Sequence, residues 1–270
     1  MALELENILI TGSSGFIGGN LTTYLKEKNI LYTPFFWDLL HKESIVAFFS
    51  SHSITQIVHL VWTFEGNFET QMQMNFQTTK NLLEVANEFG VKKIIFTSTG
   101  ATYGEPILSE SFESDFQSPN TWYGLSKKFG EELIQYYSQN FGFTSVILRY
   151  PNVYGKWSRW VISSFQRSIL EKWKITVYGD GSQSRNFLHI SDAVHAIYLA
   201  IKHEESDVFN ITNPVKTSLN ELIEFLQTRY DFEVEYREKN DNGLLDLLLS
   251  SQKAWEILGF EAVQKNILID

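Results

Sequence analysis

The sequence contains no cysteine, which excludes a disulfide framework and a thiolate metal site. Its six histidines show no HExxH spacing, so the sequence predicts no metal site. No apolar run approaches the roughly 18 residues that span a bilayer, and residues 1–6 lack the positive and apolar regions of a signal peptide. We therefore expect a cytoplasmic protein with no membrane partner.

Positively charged side chains are in the minority, because 22 lysine and arginine residues face 32 aspartate and glutamate residues. The formal net charge of −10 disfavours nucleic acid as a partner, but it leaves room for a small anionic ligand held by a few arginines. With 270 residues, of which 43% are hydrophobic, the chain can form a substantial core.

Predicted strands and helices alternate through the first part of the chain. Short apolar runs indicate buried parallel strands, and apolar positions at helical spacing indicate helices packed on them. Strands are expected at residues 8–10, 30–36, 56–60, 94–96 and 145–148, and helices at residues 16–26, 42–49, 76–89 and 123–133. This alternation predicts an α/β fold, a doubly wound parallel sheet with helices on both faces.

The segment TGSSGFIG at residues 11–18 follows a predicted strand and opens a predicted helix. Gly12 permits a tight turn, Gly15 lets the backbone approach a pyrophosphate, and Gly18 lets the helix pack closely on the sheet. Free N–H groups at the start of a helix bind phosphate. The segment predicts a dinucleotide site, and the alternative is a tight strand-to-helix turn without a ligand.

The regular alternation loosens in the second half of the chain, where only one further core strand is predicted, at residues 208–210. We expect a Rossmann-like dinucleotide-binding domain at residues 1–155. The chain is expected to return to this domain at residues 186–211. Residues 156–185 and 212–270 are expected to form a smaller, mixed substrate-binding lobe.

Tyr123 and Lys127, in the stretch YGLSK, are four residues apart and therefore share one face of a predicted helix. A free tyrosine titrates at about pH 10, and a nearby cation lowers its pKa because it favours the phenolate. Such a pair can exchange a proton with a substrate oxygen, as hydride transfer requires. The alternative is a solvated helix face with no chemistry.

Three further segments carry polar side chains at or after predicted strands. They are FTSTGATYG with Thr99, LRYPNVYG with Asn152, and YGDGSQSRNFLHISD with Arg185. Hydroxyls at the carboxyl end of a parallel strand face the crevice where ligands bind. The planar fork of an arginine suits a diphosphate, although a surface ion pair is the commoner role of a single arginine.

Together with HLVW at residues 59–62, these segments resemble the extended short-chain dehydrogenase/reductase family, in its NAD-dependent epimerase/dehydratase branch that modifies nucleotide sugars. The resemblance covers about residues 7 to 260. It implies that Tyr123 is the catalytic acid/base, that Lys127 lowers its pKa and binds the nicotinamide ribose, and that Thr99 hydrogen-bonds the reacting sugar oxygen. It also implies a homodimer.

The same resemblance implies a cofactor site and a substrate site. The residues expected to bind the cofactor are Gly12, Ser14, Gly15, Phe16, Ile17, Gly18, Asp38, Leu39, Leu60, Tyr123 and Lys127. The residues expected to bind a nucleotide-diphospho-sugar are Thr99, Asn152 and Arg185. NAD and NADP both stay open, because the second strand ends in Phe35-Phe36-Trp37, without an acidic residue for the ribose or an arginine for a 2′-phosphate.

Two departures from the family pattern bear on the reaction. Val61-Trp62 replaces the usual pair of small residues beside the cofactor, so that wall is expected to be bulkier. Gly100-Ala101 stand where sugar 4,6-dehydratases carry Asp-Glu, which argues against elimination of water. The expected reaction is therefore hydride transfer at C4 of a nucleotide-diphospho-hexose.

Two reactions use that chemistry. A 4-keto-sugar reductase uses external NAD(P)H once, whereas a 4-epimerase oxidises and re-reduces one carbon with its NAD held throughout. Residues 35–37 lack a group that could hold the adenosine ribose of the cofactor. This suggests an exchangeable cofactor, which slightly favours the reductase. A non-catalytic NAD(P)-sensing protein is the remaining alternative, although such proteins tend to lose the tyrosine–lysine pair that is present here.

Overall fold

The computed structural model describes residues 7–105, 110–156, 158, 161–238 and 247–264. Its central element is a parallel sheet of six strands in the order β2-β1-β3-β4-β5-β9, numbered along the chain. The strands are β1 (Ile8–Thr11), β2 (Tyr32–Phe35), β3 (Gln56–His59), β4 (Lys93–Thr99), β5 (Thr144–Tyr150) and β9 (Asp207–Asn210). The predicted parallel sheet is confirmed, including the late return of the chain at β9.

Helices cover both faces of this sheet. α1 (Phe16–Glu27) and α7 (Ile190–Lys202) bury apolar side chains against one face. α2 (Lys42–Ser51), α4 (Thr78–Glu88) and α5 (Trp122–Phe141) do so against the other. Each aliphatic side chain fully removed from water contributes about 1.5–3 kcal/mol, so the two apolar layers stabilise the expected doubly wound fold. Within the described residues, no helix is both long and apolar enough to pass through a lipid bilayer.

The order of the strands changes direction at β1. The chain leaves β1 toward β2 on one side and returns to β3 on the other. In such sheets, ligands bind in the crevice outside the carboxyl ends of the strands at this point. β1 ends at Thr11, directly before the glycine-rich turn, and β3 ends at His59, directly before the segment that contains Trp62. The topology therefore brings these two segments together at one edge of the sheet.

The helix predicted at residues 76–89 begins earlier and is irregular. Asn67 caps α3 (Phe68–Gln71) by accepting a hydrogen bond from a backbone N–H group. A π-helical turn at Met72–Gln77 then joins α3 to α4. The π turn moves the side chains away from a spacing of 3.6 residues, so the apolar stripe is regular only from Leu82 onward.

The second half of the chain contains five strands that were not predicted. β6 (Asn152–Tyr154), β8 (Ser184–His189) and β10 (Lys216–Ser218) form a three-stranded sheet, and β7 (Lys174–Tyr178) pairs with β11 (Glu233–Arg237). These strands are short and mix apolar with polar residues, so they lack the continuous apolar runs that indicate core strands. They share an apolar cluster with α6 (Val161–Lys172) and α8 (Leu219–Gln227). The division of the chain into a nucleotide domain and a substrate lobe stays a prediction.

Candidate active site

The glycine-rich turn between β1 and α1 depends on two backbone features. Gly12 has a φ of +70°, a left-handed conformation that glycine adopts without strain. A Cβ atom at Gly18 would lie 2.1 Å from the Gly12 carbonyl oxygen, so α1 can pack this close to the turn only with glycine there. The free N–H groups of the first turn of α1 consequently lie beside the crevice above β1.

A cavity of about 870 Å³ opens beside this turn. Seven of the residues predicted to bind the cofactor line it: Gly12, Ser14, Gly15, Phe16, Ile17, Gly18 and Leu60. Residues 61–65, which follow β3, form the rest of its wall together with residues 19–20 of α1. The position of this cavity, at the switch point of the sheet and the start of a helix, suits a dinucleotide.

Asp38 and Leu39 are not among the residues that line this cavity. The Asp38 carboxylate accepts a hydrogen bond from Leu40 N at 2.8 Å and lies 3.0 Å from His41 Nδ1. The Leu39 side chain is buried in the core, and its carbonyl oxygen accepts a hydrogen bond from the Asn81 side chain. The contact that Asp38 and Leu39 are expected to make with adenine stays a prediction.

The start of α5 is held against the end of β4. Thr121 caps the helix by accepting a hydrogen bond from Gly124 N at 3.1 Å. A Cβ atom at Gly124 would lie 2.3 Å from the Ala101 carbonyl oxygen, so this approach requires glycine. The packing sets the Tyr123 hydroxyl beside the Thr99 hydroxyl.

Tyr123, Thr99 and Asn152 line a second cavity of about 100 Å³. Ile17 and Trp62 line both cavities, so the smaller one adjoins the larger. Burial raises the pKa of Tyr123 above its ordinary value, and the neighbouring Thr99 hydroxyl lowers it. Three predicted residues from α5, β4 and β6 are thus brought together where the glycine-lined cavity ends.

Lys127 lies one helical turn after Tyr123 and is buried, with 1% of its surface exposed. Its Nζ atom lies 3.8 Å from the centre of the Phe96 ring and has no hydrogen-bond partner among the described residues. Burial lowers the pKa of Lys127 to about 7, whereas the Glu131 carboxylate raises it. The expected effect of Lys127 on the pKa of Tyr123 stays a prediction. Because a buried polar group without hydrogen bonds is costly, this Nζ atom indicates where a polar group of a ligand could bind.

A buried ion pair that was not predicted lies one turn beyond Lys127. Arg149 donates to both carboxylate oxygens of Glu131, with a shortest contact of 2.7 Å. Ser98 and Gln117 also donate to this carboxylate. Glu131 follows Lys127 at the spacing that places residues on one helix face, so the helical pattern could have revealed it.

Asn75, in the π-helical turn, was also missed. Its side chain accepts a hydrogen bond from Thr63 N at 2.6 Å and donates to Thr63 O and to Ser126 Oγ. Ser126 in turn donates to Tyr123 O at 2.9 Å. The turn therefore ties the wall of the larger cavity to the helix that carries Tyr123. π-helical turns are frequent at functional sites, but a single sequence shows no signal for this one.

Trp62 forms the bulkier wall that the sequence predicts. The centre of its ring system lies 5.6 Å from that of Tyr123, with an angle of 49° between the planes. Because Trp62 lines both cavities, its indole stands between the glycine-rich turn and the Tyr123 hydroxyl. Its position makes it a candidate to influence which ligands fit in either cavity.

Arg185 lies outside both cavities. It is on β8, paired with Thr217 of β10 and bridged to Leu247, while β8 also pairs with the strand that carries Asn152. Leu247 itself lines the small cavity beside Tyr123. It comes from a distant part of the chain, so no local pattern in the sequence could place it there.

Known proteins share this architecture. Residues 8–212 match the model of the NAD dependent epimerase/dehydratase family. The chain is 31% identical to a putative UDP-glucose 4-epimerase of Methanocaldococcus jannaschii, over 94% of this chain and 92% of that protein. It resembles the crystal structure of the Thermotoga maritima UDP-glucose 4-epimerase with UDP-glucose, with 28% identity, coverage of 95% and 94%, and a TM-score of 0.87. It also resembles MoeE5 in complex with UDP-glucuronic acid and NAD, with 25% identity, coverage of 95% and 93%, and a TM-score of 0.85.

Proposed function

The chain belongs to the NAD dependent epimerase/dehydratase family, and we propose that it transfers hydride at C4 of a nucleotide-diphospho-sugar with NAD or NADP. The observation that carries the proposal is the meeting of Tyr123, Thr99 and Asn152 in one small cavity that adjoins the glycine-lined one. A proton donor and acceptor next to a dinucleotide site is the arrangement that hydride transfer to or from an alcohol carbon requires.

The residues present fit a dinucleotide. The glycines of the turn let a pyrophosphate approach the backbone at the start of α1. The buried Nζ atom of Lys127 needs a hydrogen-bond acceptor, and a ribose hydroxyl of the cofactor can supply it. When bound, the nicotinamide accepts or supplies the hydride.

The proton is handled by side chains of the protein. Tyr123 takes the proton of the C4 hydroxyl, or returns it, at its phenolic oxygen. Thr99, which lines the same cavity as Tyr123, orients the sugar oxygen and shares its developing charge. The positive charge of Lys127 favours the phenolate and so opposes the effect of burial on the Tyr123 pKa. Asn152 and Arg185 bind the diphosphate of the substrate.

Elimination of water is not part of the proposal. Gly100 and Ala101 follow Thr99 at the end of β4, and none of the described residues that line the small cavity is an aspartate or glutamate. Removing a hydroxyl from a sugar needs an additional acid and base next to the reacting carbons. Hydride transfer needs only the groups that the cavity contains.

Two reactions share this machinery, and a different observation favours each. A 4-keto-sugar reductase must exchange its cofactor, and the end of the second strand in Phe35-Phe36-Trp37 favours it, because these residues offer no carboxylate to hold an adenosine ribose. A 4-epimerase keeps its NAD through the cycle, and the likeness to 4-epimerases over most of the chain favours it.

One experiment separates the two reactions. The purified protein is denatured, released NAD(H) and NADP(H) are quantified, and native protein is incubated with NADH or NADPH and 4-keto nucleotide sugars. Stoichiometric NAD without consumption of added cofactor identifies an epimerase, and a cofactor-free protein that oxidises NAD(P)H identifies a reductase. If UDP-, dTDP-, GDP- and CDP-hexoses and their 4-keto forms gave no hydride transfer in either assay, the proposed function would be wrong.

We also propose a homodimer that pairs the exposed faces of α4 and α5. Tyr136 and Phe141 of α5 are exposed, as is Phe89 at the end of α4. A two-fold axis along these helices would bury the aromatic side chains of both copies. Light scattering over a range of concentrations tests this, and a monomer at all of them would contradict it. The cytoplasmic location stays a prediction.

A further inference from the structure

The small cavity beside Tyr123 has a wall that is mostly hydrocarbon. The described residues that line it are Ile17, Trp62, Thr97, Ser98, Thr99, Ala101, Tyr123, Tyr150, Pro151, Asn152, Val153 and Leu247. None of these residue types is charged at neutral pH. A sugar whose C4 hydroxyl is bound by the catalytic hydroxyls therefore places its neighbouring carbons against a largely apolar surface.

Most hydroxyl groups of this lining already have partners inside the protein. Thr97, Ser98 and Tyr150 donate their hydroxyl protons to other residues of the fold. The polar side chains that remain to bind a sugar are those of Thr99, Tyr123 and Asn152. Two of these three are assigned to the C4 oxygen and Asn152 to the diphosphate, so none of the three is left to bind a hydroxyl at C6.

Leu247 closes the wall from a distant part of the chain. The segment Leu247–Ser250 is hydrogen-bonded to β8 on one side, through Leu247 N and Ser184 O at 3.3 Å. On the other side, Ser111 N donates to Leu248 O at 2.8 Å. Because both sides of the segment are bonded to other strands, the Leu247 side chain is held in place at the cavity.

Gly100 provides the room that this segment needs. A Cβ atom at Gly100 would lie 3.0 Å from side-chain atoms of Leu249 and 3.1 Å from a side-chain atom of Leu247. Leu247 and Leu249 also pack with Tyr103 in a buried cluster. The space above the end of β4 is therefore filled by leucine side chains, which offer no hydrogen bond to a ligand.

Building on the hydride transfer proposed above, we propose that the substrate is a nucleotide-linked 6-deoxyhexose and that Leu247 and Trp62 select its methyl group. The reacting carbon C4 has two ring neighbours, C3 with a hydroxyl and C5 with the exocyclic carbon C6. In this proposal C6 faces the leucine and the indole. A methyl group gains apolar contact there, a hydroxymethyl group loses hydrogen bonds with water, and a carboxylate finds no cation among the described residues of the lining.

The test compares UDP-6-deoxyglucose, UDP-glucose and UDP-glucuronic acid, which differ only at C6, and repeats the comparison with the dTDP-linked sugars. Oxidation at C4 by the NAD-loaded protein is followed in stopped flow by the absorbance of NADH. We expect kcat/KM to be about 10- to 100-fold higher for the methyl sugar than for the hydroxymethyl sugar, the discrimination typical of an apolar pocket. The carboxylate sugar should be slower still.

Paired variants test the two selecting residues. Leu247→Asn puts an amide into the wall and should reduce the preference for the methyl sugar about 10-fold. Leu247→Met, which keeps the volume and apolar character, is its matched control and should retain the preference. Trp62→Ala and Trp62→Phe form a second pair. Trp62→Ala should reduce the preference for the methyl sugar, and Trp62→Phe should retain it. If Leu247→Asn fails to fold, as judged by circular dichroism, the Trp62 pair tests the inference in its place.

The outcomes separate this inference from the proposed function. If hydride transfer is as fast with the hydroxymethyl or carboxylate sugar as with the methyl sugar, the inference is overturned and the proposed function is left intact. A preference that persists in both Leu247→Asn and Trp62→Ala overturns the role of these two residues. If hydride transfer occurs with none of these sugars, nor with the GDP- and CDP-linked hexoses and the 4-keto forms, the proposed function is contradicted and the inference falls with it.

Discussion

The Nζ atom of Lys127 lies 3.8 Å from the centre of the Phe96 ring and forms no hydrogen bond within the described residues. The face of an aromatic ring attracts a cation by about 0.5–2 kcal/mol, which is a weak substitute for hydration. Burial accordingly lowers the pKa of Lys127 to about 7, although Glu131 raises it. This lysine therefore opposes folding.

We expect Lys127→Met to stabilise the nucleotide-free protein and to abolish hydride transfer. The folded-state pKa of about 7 lies below the unfolded value of about 10.4, so between these pH values the unfolded state binds more protons. Wild-type stability therefore rises with pH through this window. The loss of stability caused by the buried charge is complete below about pH 7, where it is on the order of a few kcal/mol.

Urea unfolding of wild type and Lys127→Met at about pH 6 and about pH 10 measures this penalty. The variant should gain most stability at the lower pH, because the buried charge is then fully present in the wild type. It should gain least at the higher pH, where the folded lysine is neutral. Equal gains at both pH values would show that the effect is general packing and not the buried charge.

Tyr123→Phe should remove activity and keep the fold. The hydroxyl lies beside Thr99 in the small cavity, and loss of general acid–base catalysis typically costs about 10²- to 10⁴-fold in rate. Turnover of an active nucleotide sugar and the amount of bound cofactor are measured on the same preparation. Tyr136→Phe, at an exposed position of the same helix, is the control and should be fully active. Unchanged turnover in Tyr123→Phe would disprove the proposed chemistry.

The sheet and the cofactor turn could be predicted because their signals are local. The apolar run of β1 leads directly into TGSSGFIG, and the conformation of Gly12 and the close packing at Gly18 are those that the motif implies. Tyr123 and Thr99 also belong to local motifs, each at the end of a core element. Their closeness follows once α5 packs on the end of β4.

Features that depend on distant segments could not be predicted from one sequence. Leu247 reaches the small cavity beside Tyr123 because its segment is bonded between β8 and Ser111, and neither contact leaves a periodic pattern. The π-helical turn hides the start of its helix because it breaks the period on which the prediction relies.

Glu131→Gln should destabilise the protein by about 3–5 kcal/mol, the cost of leaving a buried charge without its partner. Glu131 is 1% exposed and receives hydrogen bonds from Arg149, Ser98 and Gln117. The neighbouring Glu132 forms a 3.7 Å ion pair with Lys128, in which its own side chain is 54% exposed. Glu132→Gln is therefore the matched control and should cost less than about 1 kcal/mol.

Urea unfolding of both glutamine variants measures the difference, and a pH–rate profile adds a second readout. Because the Glu131 carboxylate raises the pKa of Lys127, its removal should lower that pKa further. Where activity needs the charged lysine, the decline in rate at high pH should then begin at lower pH in Glu131→Gln. Similar stability losses in both variants would show that the buried pair has no special role.

Gly18 and Gly19 are adjacent in α1 and differ in the room around them. A Cβ atom at Gly18 would lie 2.1 Å from Gly12 O, whereas at Gly19 the nearest atom, Ser13 O, is 3.9 Å away. We expect Gly18→Ala to displace the turn, to lose cofactor binding and to cost about 1–3 kcal/mol as an overpacked site. Gly19→Ala should keep the cofactor and gain up to about 1 kcal/mol, because alanine favours the helix. Fluorescence titration with NADH and NADPH, together with urea unfolding, measures both effects, and equal cofactor affinity in the two variants would show that the close approach of α1 does not shape the site.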